Sequence, residues 1–127
     1  NRCTFSKAEK DLLGVTHYQI AAKLLRQWNF PEKVIMQIFY HHAPWYDKNF
    51  TSESIILYLS NVLAKVTGYT CSAEEKEFDS AEIMKPSLLD FLNKNGFDLN
   101  QESLKNLIAL IREYIAAETN NVMTIFE

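Results

Sequence analysis

The chain has 127 residues, 47% hydrophobic and 23% charged, the make-up of one globular domain able to bury a core. A net charge of −3 without any basic run interleaved with aromatics argues against nucleic acid as a partner. No apolar run approaches the ~18 residues of a membrane span and no signal peptide is visible, so a cytoplasmic location is expected.

Three glycines and three prolines are few, which favours helices over a turn-rich β fold. The charge is uneven: residues 1–50 carry seven basic and four acidic side chains, and the remainder six and twelve. Cys3 and Cys71 lie far apart without metal-type spacing, and a reduced compartment suits them better than a disulfide scaffold. The chain does not begin with methionine, and it is read either as one domain over 1–127 or as the C-terminal part of something longer.

In chain order, Ser6 and Glu9 form a capping box, so a short helix is expected over Ser6–Leu13, ended by Gly14. Thr16 and Gln19 form another, which starts a helix at His17. Its apolar positions, Ile20, Ala21, Leu24, Leu25 and Trp28, have the spacing of one helical face. Asn29-Phe30 breaks the pattern, and Pro31 suits the first position of a next helix. That helix carries Val34, Ile35, Ile38 and Phe39, and Pro44 closes it. The connection is short, so the two helices must run antiparallel. His17 opens the first and His41-His42 close the second, so all three histidines of the chain meet at one end of the hairpin.

Trp45 to Phe50 is an aromatic, polar loop beside the histidines, where Trp45 and Tyr46 either lid a pocket or cover a core edge. Thr51 or Ser52 caps a helix running to Thr67, with Gly68 as its stop and Ile55, Leu59, Val62, Leu63 and Val66 as its stripe. Asn61 shares a polar flank with Ser54, Tyr58 and Lys65. Residues 69–78 read as a connector, followed by a short helical piece over Ser80–Met84 and a helix capped by Ser87 that ends near Gly96. Asn100 caps a last long helix with Leu104, Leu107, Ile108, Ile111 and Ile115 on its stripe. Val122, Met123, Ile125 and Phe126 form an apolar tail. The expected fold is an all-α, compact bundle of five to seven helices without a sheet.

His17 with Ile20, Leu24-Leu25, Trp28, Pro31 and the His41-His42 pair resembles the HDOD family, after a lead-in at Glu9 and Leu13-Gly14. These are HD-related signal-output domains of bacteria, relatives of the HD and HD-GYP metal phosphohydrolases. The resemblance is strong from Glu9 to Pro44 and weaker beyond. It departs at Ala21, where the family usually has glycine. It implies an HD-like helical bundle in which His17, His41 and His42 match positions that help hold an additional metal in the HD-GYP relatives. Asn61 matches the position of a metal-binding aspartate. The adjacent His-Asp pair that defines the catalytic relatives is absent, and an amide is a poor ligand for a hard divalent cation. No carboxylate stands out as an orienting partner, with Glu9 and Asp47 the nearest in sequence.

The resemblance therefore points to a non-catalytic regulatory module working through a protein partner or an attached sensory domain. No catalytic residue and no cofactor are expected. Hydrogen-bonded histidines left over from a metal site are the preferred account of the cluster, ahead of a bound metal and of a ligand or phosphate role. Two alternatives remain: a metal-dependent phosphohydrolase whose His-Asp pair lies upstream, and a structural homodimerisation unit.

Overall fold

The computed structural model describes residues 5–70 and 80–125, with side chains through residue 119. All regular structure among them is helical: α1 (Phe5–Leu13), α2 (His17–Gln27), α3 (Glu32–Phe39), a 3₁₀ turn (Pro44–Tyr46), α4 (Ser52–Thr67), α5 (Pro86–Lys94) and α6 (Gln101–Ile125). Residues 80–83 are also helical. The expected all-α bundle is thus the observed one. Cys3, Cys71, Phe126 and most of the connector lie outside the described residues. The other apolar tail residues fall within the last turns of α6.

The caps explain where the helices start. At α2, the Gln19 side-chain oxygen accepts the Thr16 N–H at 3.0 Å. Thr16 and Gln19 thus make the expected capping box at the start of α2. At α4, the Ser54 hydroxyl accepts the Thr51 N–H at 3.3 Å. At α6, Asn100 and Ser103 exchange bonds of 2.8 Å in both directions, backbone N–H to side-chain oxygen. Helix α5 is started by proline instead: Lys85 is the N-cap and Pro86 stands inside the first turn, so Ser87 is not the cap. Likewise Pro31 is the N-cap of α3 and not its first residue. Helix α3 stops at Phe39, which leaves His41 and His42 in the turn beyond it.

Helices α2 and α3 pack on each other as the antiparallel pair expected, and Asn29, at φ 57°, makes the reversal between them. Helix α4 is the spine of the rest. Its buried side chains Ile55, Leu59, Val62 and Val66 join Ile83, Leu89, Leu92, Leu104 and Ile108 in one core. Gly68 ends α4 at φ 123°, a conformation that β-carbon-bearing residues avoid. Beyond it, Arg112 of α6 donates to the Val66 carbonyl at 2.9 Å, tying the two long helices together. Lys33 of α3 pairs with Glu53 of α4 at 3.3 Å. The Thr51 hydroxyl, the Glu53 N–H and Lys33 together pull the Glu53 carboxyl down to about 2.

Two sequence expectations need correction. Only part of the expected stripe of α2 faces inward: Ala21 and Leu25 do, but Ile20, Leu24 and Trp28 are exposed, Trp28 by 61%. The inner face is Tyr18, Ala21, Ala22 and Leu25, about a third of a turn round the helix. Two alanines let α3 come close, and close packing outweighs the larger apolar residues of the neighbouring face. The second correction concerns α4, where Ser54 and Tyr58 are buried, so the flank they share with Asn61 points inward.

Core positions and the exposed stripe should respond differently to truncation. Leu104→Ala is expected to cost about 2–5 kcal/mol in chemical denaturation, through lost burial plus a cavity. Leu12→Ala, at a side chain 83% exposed, should stay within about 0.5 kcal/mol of the parent.

Candidate functional site

The hairpin brings the three histidines together as their spacing predicts. His17 is the first residue of α2, and His41 and His42 follow the end of α3. The His17 ring centroid lies 5.3 Å from that of His41 and 5.0 Å from that of His42; the two neighbours are 3.9 Å apart. One ring nitrogen from each lies within 4.8 Å of the others, and all three residues are half-buried. Among the described residues, this is the one grouping of histidine, cysteine and acidic side chains that offers metal-ligand spacing. The Tyr18 ring packs edge-on to His17 at 5.3 Å and to Phe39 at 5.4 Å, walling one side.

Each ring is held from behind by a different element. Glu9 of α1 accepts from His17 twice, at 2.7 Å from the ring Nδ1 and at 3.1 Å from the backbone N–H. Its side chain is only 13% exposed. Covering a carboxylate raises its pKa, but the bonds from the His17 ring and backbone outweigh that and hold Glu9 below its ordinary value. His41 Nδ1 donates to the Ile38 carbonyl at 2.6 Å, closing the last turn of α3. The Asn61 amide of α4 lies 3.4 Å from His42 Nδ1.

Of the two carboxylates near enough in sequence to consider, Glu9 is the one that orients the cluster. Periodicity does not single Glu9 out, because the contact depends on how α1 packs against the start of α2. Asp47 plays no part: it is buried, and its carboxylate accepts the Asn49 N–H at 2.9 Å. Asn61 does reach the cluster, through an amide in contact with His42. Trp45 turns away, packing on Tyr58 at 5.5 Å and Phe91 at 5.9 Å, so it covers a core edge and does not lid the histidines. Tyr46 is exposed.

An all-α bundle with a histidine cluster at the open end of a helical hairpin is the class of protein defined so far. Residues 1–44 match the HDOD domain, an HD-related signalling-output family. The matched segment contains Glu9, all three histidines and the whole α2–α3 hairpin. No curated protein and no solved structure matches the chain.

Burial is the main influence on His41 and lowers its pKa from 6.5. Positive charge at His17 and Lys65 acts the same way, against the Ile38 carbonyl, which favours the charged ring. The titratable groups around it are His17 from α2, His42 beside it and Lys65 from α4. A histidine with a lowered folded pKa binds fewer protons folded than unfolded, so stability rises with pH between the two values. In chelator, the denaturation midpoint of the chain is expected to fall as the pH is taken down through 6.5. Replacing the titrating ring in His41→Asn should flatten that slope.

Proposed function

We propose that the chain is a non-catalytic signal-output module of a bacterial cytoplasmic pathway, acting through a protein partner or an attached sensory domain. The observation that carries this reading is the neutral amide of Asn61 at the histidine cluster, 3.4 Å from His42 Nδ1. Phosphoester hydrolysis by a metal centre needs anionic oxygen ligands beside the histidines, both to hold a hard cation and to activate water. Glu9 is engaged with the outer nitrogen of His17 and with its backbone, and the sequence contains no adjacent His-Asp pair.

The apolar residues that α1 and α2 leave exposed, with Leu12, Leu13, Ile20, Leu24 and Trp28 foremost, support an interaction role. Self-association through the same residues is the second reading, favoured by their extent alone. Sedimentation of the chain at high concentration separates the two: a monomer removes self-association.

Hydrolysis of an activated phosphodiester, with manganese in excess, tests the non-catalytic reading. The expected rate is that of His17→Ala. Turnover in the parent that vanishes in this variant would overturn the reading. In a capture experiment with a partner or sensory domain, Leu24→Glu combined with Trp28→Glu is expected to abolish binding while leaving helicity unchanged.

A further inference from the structure

We propose that the cavity between the 3₁₀ turn, α4 and the start of α5 is an aromatic cage for a quaternary ammonium group of the choline type. The cavity holds about 240 Å³ and is walled by Trp45, Tyr58, Leu88 and Phe91, with Glu82 and Lys85 on its polar side. Trp45 stands near a right angle to both other rings. It meets Tyr58 at 75° with centroids 5.5 Å apart, and Phe91 at 82° with centroids 5.9 Å apart. The walls therefore carry aromatic surface in two orientations. Tyr58 is buried, but Trp45 stays 44% exposed although two rings pack on it. The core edge that Trp45 covers thus keeps a hollow whose aromatic wall is open to solvent.

The faces of aromatic rings carry partial negative charge and attract cations. An ordinary ammonium holds strong hydrogen bonds to water, and ring faces offer no acceptors to replace them. A quaternary nitrogen has no N–H to satisfy. Its methyl groups carry the positive charge and also gain from leaving water. Size points the same way: drug-sized ligands use cavities of about 300–1,000 Å³, so this one takes a headgroup and little more. Glu82 supplies the opposite charge at the polar side. Residues 51–127 carry twelve acidic against six basic side chains, so the surrounding field favours a cation as well.

The Glu82 carboxylate is paired with Lys85, whose side chain is half-exposed. Ion pairs in that setting are weak and screened by salt, so Lys85 competes with the ligand for Glu82 and does not exclude it. That competition gives the site a signature, because removing the lysine should tighten binding. The inference stands apart from the signal-output reading. The cavity shares no residue with the histidine cluster or with the exposed side chains of α1 and α2, so failure of either leaves the other untouched.

The test is titration of the chain with choline, read by proton NMR of the choline methyl groups. Fluorescence of a Trp28→Phe variant, in which Trp45 is the one remaining indole, reads the same event from the protein side. One choline per chain is expected to bind at a concentration on the order of 1 mM, with its methyl resonance moved upfield by the rings. The neutral isostere, with carbon in place of the nitrogen, fills the same space without the charge and should bind about 10-fold more weakly. Trp45→Leu keeps an apolar wall but removes a ring, and should also weaken choline about 10-fold. Glu82→Gln should weaken it and Lys85→Gln tighten it, by about 2–5-fold each. Equal binding of choline and its isostere overturns the proposal, as does the absence of a saturable upfield shift. Both are read on the parent chain, whatever the variants do. An affinity that is unchanged in Trp45→Leu, or that does not rise in Lys85→Gln, overturns it too.

Discussion

Helix α4 is the constraint on which the rest of the structure depends. Its side chains Ile55, Leu59, Val62 and Val66 are almost fully removed from water, and α6 closes over them with Leu104 and Ile108. Helix α3 and the 3₁₀ turn also lean on α4. The hairpin of α2 and α3 contributes little fully buried apolar surface of its own, chiefly Ala22 and Ile35. Its position is therefore set by what it packs against, and with it the position of the histidines.

The cluster has the same dependence. His17 is placed by the start of α2, but its ring is aimed by Glu9, from a helix with no buried residue. His41 is aimed by the carbonyl of the helix it follows, and His42 lies against a residue of α4. Three segments thus back the three rings: α1 through Glu9, α3 through the Ile38 carbonyl and α4 through Asn61. Polar groups in a half-buried setting gain from such contacts more than they would in water, because the surrounding apolar side chains keep competing solvent away. Tyr18 and Phe39 provide part of that wall.

Asn61 separates this cluster from a reaction centre. An aspartate there would bring negative charge against His42 and favour a hard cation. The amide brings only a dipole, able to accept or donate according to its orientation. Glu9 does bring charge, but on the outer nitrogen of His17, where it orients the ring and strengthens its basicity. The exposed apolar side of α1 and α2 lies on the same segment that matches the HDOD domain, so the histidines and the candidate docking residues are carried by one short stretch of chain.

Local rules were enough to find the helices. The Thr16-Gln19 capping pair, the caps at Thr51 and Asn100, the stops at Gly14 and Gly68, and the short break at Asn29-Phe30 all act within a few residues, so they are legible in order along the chain. The meeting of His17 with His41 and His42 was legible for the same reason, since a short connection leaves helices no other way to run. Which side of α2 turns inward was not legible, because Ile20, Leu24 and Trp28 and the alanine-containing face are both consistent with helical spacing. The choice between them was made by how closely α3 can approach. Nor does periodicity disclose that Ser54 and Tyr58 would be buried or that Glu9 would back His17, because both depend on partners from other segments. The sequence by itself determined which segments are helical and which residues meet across the hairpin. Only the tertiary structure decided which faces are buried and which way the imidazoles point, because burial and ring orientation are set by neighbours distant along the chain.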